Sequence, residues 1–148
     1  MLALTVEESE VRGFMNKLLR EELFDAFEVR AVEINALTRV DISGELPGEE
    51  RKYVGWSQIR PLVFTIIKNH QMPKHMKIIF SCGGETTGSI HSNASALFLN
   101  MIYENGTVNF TSATAQKQFS LDKTLDEKWE EYVNFFFRNN NIKVKNKE

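Results

Sequence analysis

The stretch that most constrains the fold of this sequence runs from residue 97 to residue 111 and has the pattern of a β-hairpin. Two apolar, β-prone runs flank the pair Asn105-Gly106, which favours a type I′ turn because both central residues of that turn need positive φ. The first run is apolar on both faces, with Leu97, Leu99, Met101 and Tyr103 on one and Phe98 and Ile102 on the other. Such a strand belongs in the middle of a sheet, so helices and neighbouring strands must cover it.

The periodicity of the remaining chain predicts an α+β fold with a mostly antiparallel sheet of five to seven strands and three helices. Apolar residues recur at helical spacing over 11–19, 61–67 and 125–136, and they alternate over 32–46 and 76–82. The segment 83–93 is rich in Gly, Ser and Thr and predicts a loop, whereas 118–121 predicts a short strand. The element order is β-α-β-β-α-β-β-β-(β)-α, which does not require the crossovers of a parallel sheet.

The same order can also be described as a repeated unit. A helix followed by strands occurs once over 11–46 and again over 61–121. In element order this resembles the repeated helix-plus-strands unit of DNA-clamp domains, so a clamp-like fold is the alternative.

Length and composition are those of one soluble globular domain, predicted over 1–142, with a frayed charged tail over 143–148. The sole cysteine, Cys82, cannot form an internal disulfide, which fits a reducing compartment. The acidic start of the chain does not resemble a signal peptide, and no apolar run approaches the roughly 18 residues of a membrane span. We therefore expect a cytoplasmic protein that does not associate with membranes.

No group of residues predicts catalysis, a metal site or a cofactor. Cys82 alternates with apolar residues on a predicted strand, so it is expected in the core rather than as a nucleophile. His70, His75 and His91 lack the spacing of a zinc motif. The Gly-rich segment 83–89 lacks the Gly-Lys-Ser/Thr ending of a phosphate-binding loop.

Three residues are candidates for binding a partner: Trp56, Arg60 and Phe135. Trp56 lies where a loop meets the second predicted helix, and Pro61 restrains Arg60. Trp and Arg are enriched at interface hot spots. Phe135 falls between the buried positions of the last predicted helix, where it can face a partner. The simpler alternative is that Trp56 packs at the helix entry and that Arg60 bonds a nearby carboxylate or carbonyl.

The chain also resembles a bacterial family of domains of about this length that has no assigned function. The resemblance is carried by Phe14-Met15-Asn16-Lys17-Leu18-Leu19, Trp56-Ser57-Gln58-Ile59, Arg60-Pro61, Ile67-Lys68, Pro73, Lys77-Ile78-Ile79-Phe80, Leu97-Phe98-Leu99-Asn100, Tyr103-Glu104-Asn105-Gly106 and Phe119-Ser120-Leu121-Asp122-Lys123. Two loops, 47–55 and 83–93, look shorter than in typical members, so an activity housed in either loop would be missing here. The resemblance implies no catalytic or ligand-binding residue.

These observations favour a small, non-enzymatic protein-interaction module that binds a protein partner or a second copy of itself through an exposed apolar patch near Trp56 or Phe135. The alternative is a nucleic-acid-associated module of clamp-like build. Its candidate backbone contacts are Arg30, Arg39, Lys68 and Lys74. The formal net charge of −2 disfavours that alternative, since non-specific nucleic-acid binding needs a basic surface. An enzyme without a recognisable motif ranks third.

Overall fold

The computed structural model describes residues 1–48, 50, 52–70 and 73–147. Over these residues the chain has an α+β fold with eight strands in one antiparallel sheet and four α-helices. The strands are β1 (Ala3–Val6), β2 (Glu28–Asn35), β3 (Arg39–Ser43), β4 (Val54–Gly55), β5 (His75–Ser81), β6 (Ala94–Glu104), β7 (Thr107–Gln116) and β8 (Val144–Asn146). The helices are α1 (Val11–Arg20), α2 (Trp56–His70), α3 (Gly84–Ile90) and α4 (Thr124–Asn139). The predicted fold class is confirmed, but the predicted five to seven strands and three helices were too few.

The predicted hairpin is confirmed and lies inside the sheet. The strand order is β3-β2-β5-β6-β7-β1-β8, with β4 paired to β2, so β6 has β5 on one side and β7 on the other. At the turn, Asn105 has a φ of 51° and Gly106 a φ of 75°. Positive φ at both positions is the type I′ geometry that the Asn-Gly pair favours.

The three long helices pack on the same face of this sheet. Phe14 of α1 and Phe137 of α4 both contact Phe110 of β7, with ring centroids 5.7 Å and 4.8 Å away. Trp56 of α2 packs edge-on against Phe80 of β5 at 5.5 Å. The buried side chains of these elements form one hydrophobic cluster, which fixes α1 and α2 side by side above the sheet.

The prediction of a loop over 83–93 was wrong, because Gly84–Ile90 forms α3. Thr87 is buried there, and its hydroxyl donates to the carbonyl oxygen of Gly83 at 2.8 Å. Two glycines and the lack of an apolar period hide this helix in the sequence. α3 is stabilised by packing against β6 and α4 and not by the helix propensity of its own residues.

The predicted strand over 118–121 and the predicted frayed tail were also wrong. The backbone of Ser120 is bonded by the side chain of Gln116, and that of Gln118 by the side chain of Asn93, so no neighbouring strand pairs with them in the described chain. β8 pairs with β1 instead of fraying, and Glu148 lies outside the described residues.

The structure shares with the clamp-like alternative only the order of its helices and strands. The first helix-plus-strands segment supplies β2 and β3, and the second supplies β5, β6 and β7 to the same sheet, while β4 lies between the two segments. α3 interrupts the second segment and has no counterpart in the first.

Candidate functional site

A groove of about 1060 Å³ lies between α1 and α2 and is open to solvent. Its floor is apolar and is built from Val11, Met15 and Leu19 of α1 and from Pro61, Phe64 and Ile67 of α2. Both helices turn an apolar stripe toward the core, and the edges of the two stripes form this floor. The groove is therefore a direct result of two amphipathic helices packed side by side.

Trp56 supports α1, one wall of the groove, from the protein interior. Its side chain is fully buried, and its indole Nε1 donates a hydrogen bond of 3.3 Å to the backbone carbonyl oxygen of Leu18 in α1. The expectation that Trp56 belongs to an exposed patch was wrong. Its ring fills the space between the start of α2 and the sheet, which is the simpler alternative weighed for this residue.

Arg60 lies at the same end of the groove and is held in an ion pair. Its Nε donates to Asp25 Oδ1 at 3.1 Å and its Nη2 donates to Asp25 Oδ2 at 2.9 Å, so the pair is bidentate. Its Nη1 also donates to the carbonyl oxygen of Arg20 at 3.4 Å. The side chains of Arg60 and Asp25 are 17% and 20% exposed, so this neutral pair closes one end of the groove. A role of Arg60 in binding stays a prediction.

Three further cations stand on the rim of the groove. Arg12 and Arg20 project from α1 and Lys68 from α2, and all three are exposed. Within the part of the chain that the structure describes, none of the three makes an ion pair with a carboxylate. The guanidinium of Arg20 lies 5.2 Å from the centre of the Phe64 ring, which holds it beside the apolar floor.

Arg12 and Arg20 were not predicted from the sequence as site residues. Both occupy polar positions of α1 directly beside apolar ones, and this pattern, which places a cation at the edge of an apolar stripe, is visible in the sequence. What the sequence could not show is that α2, some forty residues further along the chain, lies next to that edge of α1.

The two helices run in opposite directions along the groove. The end of α1 meets the start of α2, as the contacts from Trp56 to Leu18 and from Arg60 to Arg20 show. At the other end, Glu8, Arg12 and Lys68 line the groove together with Tyr103 and Gly106 of the β6–β7 hairpin.

Phe135 lies outside this groove. It is 58% exposed on the outer face of α4, while the neighbouring Phe137 is buried against Phe110. Its exposure is as the helical spacing predicted. Its contact with a partner stays a prediction.

The four candidate nucleic-acid contacts differ in the neighbours that surround them. The guanidinium of Arg30 stacks at 3.7 Å from the ring centre of Tyr53 and donates to Ser81 Oγ. Arg39 is paired with Asp41 and Glu33 at the β2–β3 edge of the sheet. Lys68 lies on the groove rim and Lys74 is exposed just before β5. Arg39 and Lys74 lie near each other, since Arg39 pairs with Asn35 and the N–H of Lys74 donates to the carbonyl oxygen of Asn35.

Cys82 is buried, as the strand alternation predicted. Burial, reinforced by the negative charge of Glu28, raises the pKa of its thiol to about 12. At neutral pH the thiol is therefore protonated, and a protonated thiol is a poor nucleophile.

We expect native Cys82 to react with a thiol reagent at pH 8 at least about a hundredfold more slowly than the unfolded chain, because both the pKa and the burial oppose attack. The measurement is the rate of colour release from a disulfide reagent with and without denaturant. Equal rates in the two states would show that Cys82 is accessible.

No metal centre emerges among the described residues, where no three side chains of His, Cys, Asp or Glu come together. His75 lies half-buried on β5, and its Nδ1 has no hydrogen-bond partner within the described chain. The side chain of His70 lies outside the described residues.

An ordered loop between β7 and α4 presents two apolar side chains to solvent. Phe119 is 87% exposed and Leu121 is 82% exposed. The side-chain amides of Asn93 and Gln116 each bond both backbone groups of a loop residue, as a neighbouring strand would. The loop therefore holds a defined shape although its large side chains are uncovered.

Comparisons with known proteins place the chain beside a family without an assigned activity. The description of that family is a family of unknown function (DUF5721), and it matches residues 17–145 of the 148. No curated protein and no solved structure matches the chain. Across the described residues, none of the helices has the length and apolar character that crossing a membrane requires.

Proposed function

The chain belongs to this family of unknown function, and we propose that it is a non-enzymatic protein-interaction module whose α1–α2 groove binds an acidic, partly apolar segment of a partner protein. The single observation that carries the proposal is the combination of an apolar floor with three rim cations that lack a carboxylate partner in the described chain. This replaces the surface first expected near Trp56, because Trp56 supports the groove from inside instead of lining it.

The charge of the rim supports an acidic partner. The chain as a whole has a formal net charge of −2, yet Arg12, Arg20 and Lys68 line one groove to which Glu8 adds a single carboxylate, so the rim has a net positive charge. A local positive patch on an acidic protein attracts acidic segments and repels basic ones, which sets the choice of partner and speeds association.

The shape of the site supports a polypeptide. Its volume of about 1060 Å³ is slightly above the roughly 300–1,000 Å³ of small-molecule sites, and such sites bury most of their ligand, whereas this groove is open to solvent. Side chains of an amphipathic segment can occupy the apolar floor while its carboxylates meet the rim.

A direct test measures binding of a fluorescent peptide of about 16 residues, long enough to span the groove as a helix, composed of Leu, Ala and Glu with the glutamates flanking an apolar stripe. We expect saturable binding by fluorescence anisotropy at low salt. The matched control is the same peptide with Lys in place of each Glu, and we expect it to bind roughly tenfold more weakly or not at all.

Charge reversal in the protein locates the binding site. Arg20→Glu and Lys68→Glu should each weaken binding of the acidic peptide about tenfold, or about 1.4 kcal/mol, because an attraction becomes a repulsion. Lys117→Glu makes the same change of charge at an exposed residue outside the groove and should leave binding unchanged. If the groove variants bind like the wild type, or if both peptides bind equally, the proposal is wrong.

A further inference from the structure

We infer that the partner segment binds as an α-helix that carries one carboxylate toward each end of the groove, seven or eight residues apart, with apolar residues between them. This inference rests on the proposed function and adds to it the conformation and charge spacing of the partner. Three features of the groove carry it: its walls, the net charge of each end, and the distance between the ends.

The walls favour a helix over an extended segment. Both walls are α-helices, whose backbone groups are already bonded within α1 and α2. An extended segment lying on the apolar floor would leave its own N–H and C=O groups without partners there, and unpaired polar groups on an apolar surface are costly. A helix satisfies those groups internally, and its side-chain ridges fit the groove between two packed helices.

Each end of the groove has the net charge to hold one carboxylate. At the end near Trp56, Arg60 is neutralised by Asp25, so among the described residues that line the groove Arg20 supplies the one unpaired positive charge. At the opposite end Arg12 and Lys68 are offset by Glu8, which again leaves one positive charge.

The distance between these ends sets the spacing in the partner. Arg12 and Arg20 are eight residues apart on α1, and Arg60 and Lys68 are eight residues apart on α2. At a rise of 1.5 Å per residue, each interval is about 12 Å. A bound helix lying along the groove spans the same distance in seven or eight residues, and position i+7 returns to the same face. The apolar floor of Met15, Leu19 and Phe64 lies between the ends and takes the residues in the middle.

The test uses three peptides of identical composition that differ only in where two glutamates stand around the same apolar stripe: i and i+7, i and i+3, or i and i+4. The i, i+7 peptide should bind roughly fivefold to tenfold more tightly, because only it places a carboxylate at both ends. A fourth peptide, the i, i+7 sequence with Pro at its centre, should lose binding because Pro breaks the helix.

A register experiment checks which end holds which charge. Arg20→Glu should weaken binding of the i, i+7 peptide. Replacing one of the two glutamates of the peptide with Lys should restore binding to the Arg20→Glu protein but should not improve binding to the wild-type protein. Equal binding of the three acidic peptides and of the Pro peptide would overturn the helical spacing and leave the proposed function standing. Failure of every acidic peptide to bind would overturn the proposed function itself, and this inference with it.

Discussion

Replacing Trp56 with alanine is expected to lower the free energy of unfolding by about 3–5 kcal/mol. The side chain is fully buried, packs against Phe80 and bonds the carbonyl oxygen of Leu18. Truncation leaves a cavity between α2 and the sheet and removes the indole N–H that donates to the carbonyl oxygen of Leu18, so both packing and a buried hydrogen bond are lost. Since proteins of this size are stable by about 5–15 kcal/mol, the variant retains only a fraction of its stability.

The control for the effect of Trp56→Ala is Phe135→Ala on α4. Phe135 is 58% exposed, so its loss should change the free energy of unfolding by no more than about 0.5 kcal/mol. Urea denaturation followed by circular dichroism measures both variants, and Trp56→Phe serves if the alanine variant does not fold. A cost below about 1 kcal/mol for Trp56→Ala would contradict its role as the support of the groove wall.

The second large effect is expected at Gly44, where alanine should cost about 3 kcal/mol or more. Gly44 is buried where β3 leaves the sheet, and its N–H donates to the carbonyl oxygen of Arg30 at 2.8 Å. A Cβ at this position would overlap the carbonyl oxygen of Val29 and lie 2.6 Å from its carbonyl carbon. Backbone cannot yield as a flexible side chain can, so β3 would have to separate from β2.

Gly13 provides the matched control, with the opposite sign. It lies exposed within α1, and a Cβ there would meet no atom within 4 Å. Gly13→Ala should therefore stabilise the protein by about 0.5–1 kcal/mol, because alanine restricts the unfolded chain and favours the helix. Equal effects of the two substitutions in urea denaturation would contradict the close approach of β3 and β2.

The parts of the fold that could be predicted from sequence are those specified locally. The β6–β7 hairpin follows from two neighbouring residues, Asn105 and Gly106, whose preference for positive φ needs no distant contact. The stripe of α1 follows from a period of 3.6 and was likewise predicted. In each case the pattern and the structure depend on the same few residues.

The parts that could not be predicted depend on distant contacts. β8 exists because β1, at the other end of the chain, offers it a free edge, and α3 exists because β6 and α4 cover it. The burial of Trp56 depends on where α1 lies, so the residues next to it in the sequence do not decide whether it is exposed or buried.

The candidate site likewise has features that are visible in the local sequence and features that depend on distant contacts. The polar positions of Arg12 and Arg20 beside the apolar stripe of α1 can be read from the sequence, as can the restraint of Arg60 by Pro61. Their meeting around one groove, and the neutralisation of Arg60 by Asp25, follow only from the packing of α1 against α2.

Mapping backbone amide chemical shifts during titration with the acidic amphipathic peptide shows whether this groove is the surface that binds a partner. We expect the largest shift changes to cluster on α1 and α2, around Met15, Leu19 and Phe64 and the rim residues Arg20 and Lys68. Changes centred on Phe135 of α4, on the loop carrying Phe119, or on the sheet face opposite the helices would contradict this expectation and would move the binding surface there.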